Sequence, residues 1–124
     1  MSGKLTLVIG GAASGKSAFA ESLVTQTRQN LIYLATSRVL DDEMANKVER
    51  HKVMRGAGWQ TLETPLTPEV ALRECTARDA VLLDCATMWL MNHLMDENDL
   101  ARARIELIAG LKNCAADCVI VTNE

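Results

Sequence analysis

At 124 residues, 48% hydrophobic and 23% charged, the chain has the composition of one globular domain, long enough to bury roughly two-thirds of the surface its unfolded form exposes. A net charge of −3 argues against nucleic acid as the main partner, because phosphate-backbone binding needs a basic footprint, and four aromatic residues (Phe19, Tyr33, Trp59, Trp89) are too few for a base-stacking platform. No apolar run is long enough to span a bilayer, and Met1-Ser2-Gly3-Lys4 leads straight into a strand, so a cytoplasmic protein is expected.

The first predicted element is a strand over Leu5–Ile9. It runs into Gly10-Gly11-Ala12-Ala13-Ser14-Gly15-Lys16-Ser17 and then a helix from Lys16 to about Arg28. Strand, glycine loop and helix in this order form the phosphate-binding pattern G-x-x-x-x-G-K-[ST]. Backbone N–H groups of such a loop turn inward onto phosphate oxygens, on a path that glycine permits, and the helix N-terminus adds partial positive charge. Lys16 is then expected to reach the terminal phosphates and the Ser17 hydroxyl to hold Mg²⁺. A nucleoside triphosphate is the ligand this loop implies.

Asn30–Ala35 reads as a second buried strand, ending at Thr36-Ser37. Asp41-Asp42-Glu43 puts carboxylates where a helix dipole favours them and opens a helix to about Arg55. On that helix Met44, Val48, His51 and Arg55 share one stripe, within the most basic stretch of the chain. Residue types alone leave two readings of it. One is a solvated basic face with a hydrogen-bonded histidine at its margin. The other is a phosphate clamp in which neighbouring cations favour the neutral imidazole, the form able to attack phosphorus.

Trp59–Glu63 is a short strand, and Thr67-Pro68-Glu69 supplies an N-cap, a first-turn proline and an acid for a helix to about Thr76. Ala80–Asp84 is a further strand. An apolar strand closing in aspartate downstream of such a loop makes Asp84 the second expected Mg²⁺ contact. The helix from about Thr87 to Met95 is apolar nearly all round, which points to the core or to a subunit contact, with His93 read as packing. A helix from Asp99 to about Asn113 follows, then a last strand from Cys118. The four cysteines lack C-x-x-C spacing and are expected to be plain thiols, without disulfides or metal.

Strands alternating with helices predict an α/β fold, P-loop NTPase-like (RecA-like), with a mostly parallel sheet and helices on both faces. One domain is expected over residues 1–124. Ligands in such sheets bind at the carboxyl ends of the strands. That rule singles out Thr36 and Ser37, Glu63, Asp84 and Thr122-Asn123-Glu124. A chain ending on Val119-Ile120-Val121 leaves a strand buried on both faces without a following helix, so an incomplete C-terminal end is expected.

Taken in order, several segments resemble the bifunctional adenosylcobinamide kinase/adenosylcobinamide-phosphate guanylyltransferase family of cobalamin biosynthesis. They are Val8 to Ser17, Tyr33-Leu34-Ala35-Thr36-Ser37, Asp41-Asp42-Glu43-Met44, and Arg50-His51-Lys52 with Arg55 and Trp59. Leu83-Asp84-Cys85 with Trp89-Leu90 and Asn92, and Val121-Thr122-Asn123-Glu124, complete the set. The resemblance covers essentially the whole chain. It implies phosphorylation of adenosylcobinamide by ATP or GTP, then transfer of GMP from GTP to the resulting phosphate through a GMP-histidine intermediate, with Mg²⁺. On the resemblance, the nucleophile falls on His51. The nucleotide contacts fall on the loop Gly10 to Ser17, on Ala35, Thr36 and Ser37, on Lys52, Val53, Met54 and Arg55, and on Glu63 and Asp84. The resemblance also implies a homo-oligomer, and members that continue past the Val-Thr-Asn-Glu strand. A plain P-loop small-molecule kinase and a truncated, catalytically silent nucleotide-binding module are the alternatives.

Overall fold

The computed structural model describes residues 3–11, 14–27, 30–38, 42–43, 45–46, 49, 53 and 58–123. Five strands carry the fold: β1 (Leu5–Gly10), β2 (Asn30–Ala35), β3 (Trp59–Glu63), β4 (Asp79–Asp84) and β5 (Asp117–Asn123). They form one sheet in the order β1-β5-β4-β2-β3, every pair parallel. Among the described residues the helices with defined bounds are α1 (Lys16–Thr25), α2 (Pro68–Glu74), α3 (Ala86–Met95) and α4 (Leu100–Asn113). In the predicted helix up to Arg55, Asp42, Glu43, Ala45, Asn46, Glu49 and Val53 are helical.

Parallel strands need crossovers, and right-handed crossovers dictate where the helices go. From β1 to β2 the chain crosses the sheet in one direction with α1 on one face. From β3 through β4 to β5 it returns, with α2, α3 and α4 on the other face. Alternate strand residues divide accordingly. Val8, Tyr33, Leu82, Val119 and Val121 pack with Ala20 and Val24 of α1. Ile32, Leu34, Val81, Leu83 and Ile120 pack with Leu72, Trp89 and Leu107 of the other helices. Burial on both faces is why β4 and β5 read as unbroken apolar runs.

β1 lies at the sheet edge, and its alternate residues Leu5, Leu7 and Ile9 are 52%, 56% and 60% exposed. They share the α2–α4 face of the sheet, whereas Val8 between them is buried under α1.

The helix starts are locally specified. The Asp99 carboxylate accepts from the Arg102 amide at 3.2 Å, a true N-cap for α4. Thr67 stands at the N-cap position of α2 but its side chain makes no capping bond; Pro68 and Glu69 open the helix without it. None of the four cysteines is in a disulfide. Cys114 ends α4 and Cys118 lies in β5, with their sulfurs 3.6 Å apart. Burial, more than the neighbouring thiol, pushes the Cys118 group up; burial likewise pushes Cys75 up to about 12, which favours the protonated thiol at both.

Candidate functional site

Of the sequence-predicted residues, Gly10, Ala35, Glu63 and Asp84 lie along the carboxyl edge of the sheet. Asp84 lies beside Ala35 of β2, which lies beside Glu63 of β3, so the three share one transverse row. On the other side Asp84 lies beside Val121 of β5, while Gly10 of β1 lies beside Asn123. One strand thus separates the glycine loop from Asp84, a spacing of about 10 Å. The chain leaves β1 towards one face and β4 towards the other. This is the reversal at which open α/β sheets form their ligand crevice, here over the end of β5.

The loop is built on glycine where the sequence required it. Gly15 takes a left-handed φ of 83° directly before α1, a conformation that costs other residues energy. A Cβ on Gly10 would meet the Ser14 hydroxyl at 2.6 Å and Lys16 Cδ at 3.3 Å, so the loop closes only over a bare backbone. The Ser14 amide donates to the Gly11 carbonyl at 3.3 Å, and the ammonium of Lys16 donates to the same carbonyl at 2.8 Å. Lys16 and Ser17 open α1, where helix amides lack intrahelical acceptors and the dipole favours an anion. Ala12 and Ala13 lie outside the described residues.

The strand ends opposite the loop form a connected polar group. The Tyr33 hydroxyl donates to Oδ2 of Asp84. Thr36 is fully buried: its amide donates to the Asp84 carbonyl at 3.1 Å, and its hydroxyl donates to the Cys85 carbonyl and accepts from the Cys85 amide, each at 2.8 Å. Thr36 therefore ties β2 to β4 through its polar atoms, while Ser37, half-buried, continues from it. The Asp84–Cys85 peptide is cis. Cys85 caps α3, its sulfur accepting from the Met88 amide at 3.4 Å; burial raises this thiol, partly offset by that bond and by nearby Lys16. Thr87 of α3 stands 3.0 Å from the Thr122 hydroxyl and accepts from the Asn123 amide at 2.9 Å, fixing the end of β5 beneath the crevice. Glu63 is exposed at the far edge of the sheet, and Val53 is 77% exposed. His51, Lys52, Met54 and Arg55 lie outside the described residues.

Sequence reasoning missed the role of α3. Its inward stripe is Trp89, Asn92 and His93, and its apolar residues Leu90, Met91, Leu94 and Met95 are the exposed ones. The physical reason is a row of main-chain acceptors beneath the helix. The Asn92 amide donates to the Thr36 carbonyl at 2.7 Å and to the Pro65 carbonyl at 2.9 Å. Trp89 Nε1 and His93 Nε2 donate to the Leu66 carbonyl at 3.2 and 2.9 Å. A carbonyl only accepts, so His93 carries its proton on Nε2, and Nδ1 accepts from Asn98 at 3.0 Å. Its ring also packs edge-on to Trp89 at 5.0 Å. His93 is thus a packing residue, as expected, and a hydrogen-bonded one. The only sequence signal for this was the Trp89, Asn92, His93 spacing of three and four within an apolar helix.

The family described as cobinamide kinase / cobinamide phosphate guanyltransferase matches residues 6–124. The chain belongs to that family. Its similarity to the bifunctional adenosylcobalamin biosynthesis protein CobU of Salmonella typhimurium is 40% identity over 141 aligned positions, covering 97% of this chain and 75% of that one. The bifunctional adenosylcobalamin biosynthesis protein CobP of Pseudomonas aeruginosa is 38% identical, over 95% of this chain and 70% of its own length. CobU of Escherichia coli is 37% identical, with 97% and 75% covered. The five-stranded parallel α/β sheet is therefore the sheet of a family of kinases and nucleotidyltransferases. Among the described residues no helix is long and apolar enough to cross a membrane.

Proposed function

We propose that this chain binds GTP or ATP in the crevice between the Gly10–Ser17 loop and Asp84, phosphorylates adenosylcobinamide, and transfers GMP to the product to give adenosylcobinamide-GDP. The observation that carries the reading is the glycine-built loop. Its left-handed Gly15 places Lys16 at the start of α1, across one strand from the Asp84 carboxylate, in a member of this family. Lys16 leaves the Gly11 carbonyl to meet the terminal phosphates, and the amides opening α1 take the phosphate oxygens. Ala35, Thr36 and Ser37, with Glu63 on the same edge, frame the nucleoside.

The donor set suits Mg²⁺. Among the described residues no three His, Cys, Asp or Glu side chains gather into a metal cage. Mg²⁺ does not ask for one, since it binds through one or two protein oxygens, phosphates and water. Ser17 and Asp84 are those oxygens in the proposal, and the ion supplies neutralisation of phosphate charge. In the kinase reaction the substrate hydroxyl attacks the γ-phosphorus as the β,γ-bridging bond breaks. In the nucleotidyl transfer an imidazole nitrogen of His51 attacks the α-phosphorus of GTP and pyrophosphate leaves. A phosphate oxygen of adenosylcobinamide phosphate then displaces the histidine, breaking the P–N bond. Two easier displacements replace one. Lys52, Val53, Met54 and Arg55 adjoin the nucleotide in this reading, their cations offsetting charge on the leaving pyrophosphate. The setting is cytoplasmic. Homo-oligomerisation belongs to the same reading, and the exposed apolar side chains of β1 and α3 support it.

The test is incubation with Mg²⁺ and GTP labelled at the α- or the γ-phosphate, followed by denaturation. We expect α-label alone to stay attached, to be acid-labile, and to vanish in His51→Ala. Bound GTP without retained label, or label that survives in His51→Ala, removes the histidine from the mechanism.

A further inference from the structure

Tyr33 does more in this structure than fill space. It lies in the middle of β2, is 6% exposed, and belongs to the cluster packed under α1. Phenylalanine would fill the same volume there, so the hydroxyl asks for an explanation. A buried phenol needs a polar partner, and this one reaches the carboxylate that closes the neighbouring strand.

The register makes that contact a consequence of the fold. Tyr33 lies beside Leu82 and Ala35 beside Asp84, so Tyr33 and Asp84 are diagonal neighbours on adjacent parallel strands, within reach of an aromatic side chain. Side chains two apart on a strand share a face. Tyr33, Ala35 and Leu82 all belong to the α1 side, and Asp84 therefore projects to the side that carries Lys16 and Ser17. The ring itself has little freedom, being wedged edge-on against Trp59 at 6.1 Å and 83°. A carboxylate at a strand end otherwise turns freely about two side-chain bonds. Here one of its oxygens, Oδ2, is taken by a rigid donor, which leaves Oδ1 for a further ligand.

We propose that Tyr33 is a positioning residue that holds Asp84 as a one-oxygen ligand for the divalent cation accompanying the nucleotide. The inference rests on the reading of Asp84 as a metal contact, and its test separates the two. Outer-shell donors that orient a metal ligand are worth about 10- to 100-fold in metal affinity.

The experiment measures Mn²⁺ binding by the loss of the free-ion electron paramagnetic resonance signal. It uses the whole chain with a nonhydrolysable GTP analogue, and analogue affinity is measured in parallel in excess chelator. Wild type, Tyr33→Phe and Asp84→Asn are compared. In Tyr33→Phe we expect Mn²⁺ affinity to fall about tenfold, at the low end of that range, with metal-free analogue affinity unchanged. Asp84→Asn is expected to lose at least as much. If Asp84→Asn binds Mn²⁺ like wild type, the metal reading fails and the positioning role with it. If Asp84→Asn loses the ion but Tyr33→Phe does not, Asp84 is a ligand and Tyr33 is packing. Equal losses in Tyr33→Phe with and without metal would also assign it a merely structural part.

Tyr33 is the only tyrosine in the chain, which provides a reading that needs no substitution at that site. In the 3-fluorotyrosine-labelled protein with bound analogue, adding Mg²⁺ should shift the single ¹⁹F resonance, and Asp84→Asn should abolish the shift. A resonance indifferent to Mg²⁺ overturns the proposal.

Discussion

Replacing Asn92 by leucine tests how far α3 holds the site together. Asn92 is fully buried, and its amide group supplies donors to the Thr36 and Pro65 carbonyls. Leucine has similar bulk, so little cavity is created, but both carbonyls lose their donor. Each buried acceptor left bare costs about 1–3 kcal/mol. Against this, Asn92 Oδ1 is itself buried without a partner, and removing it returns about 1 kcal/mol. Two such losses less that return leave a net destabilisation of about 1–5 kcal/mol. For a chain of this size that lowers the midpoint of thermal unfolding by about 4–20 °C. The assay is calorimetry or circular dichroism at neutral pH, with Leu94→Ala on the exposed side of the same helix as a control that should move little. The two carbonyls belong to the segments after β2 and β3, next to Ser37 and Glu63, so nucleotide affinity should weaken as well. An Asn92→Leu midpoint within about 2 °C of wild type would refute the reasoning, since it corresponds to about 0.5 kcal/mol and leaves no room for two bonds of this kind.

Two further outcomes are expected. Gly15→Ala meets no atom within 4 Å, so its cost is the left-handed backbone alone, about 1–2 kcal/mol; GTP affinity by titration calorimetry should fall about tenfold or more if the strain is relieved by reshaping the loop, and an unchanged affinity would show the loop tolerates it. Arg38 grips Asp96 through two bonds, at 2.8 and 2.5 Å, which holds the Asp96 carboxyl below its ordinary value. The carboxylate's contribution is therefore present above the unfolded value near 4 and lost as pH falls through the lower folded one. The gap in unfolding temperature between wild type and Asp96→Asn should accordingly close in acid; a gap that stays constant with pH contradicts the pairing.

Much of this protein was legible in the chain alone, and for a shared reason. The turn of the Gly10–Ser17 loop, the strand before it and the helix after it, the proline start of α2 and the aspartate closing β4 are set by residues close in sequence. Backbone sterics, capping and apolar runs on that scale leave a readable pattern. Alternation of strand and helix, with the handedness of crossovers, was enough for a parallel sheet with helices on both faces. Only the folded chain decided the rest. The hydrogen bond from Tyr33 to Asp84 joins residues 51 apart, and that from Asn92 to Thr36 joins residues 56 apart. No local pattern marks either, because strand order and register determine which side chains meet. The same is true of α3, read from its composition as apolar nearly all round. Its polar residues turn inward because main-chain carbonyls from two distant segments lie beneath it, and a buried acceptor must find a donor.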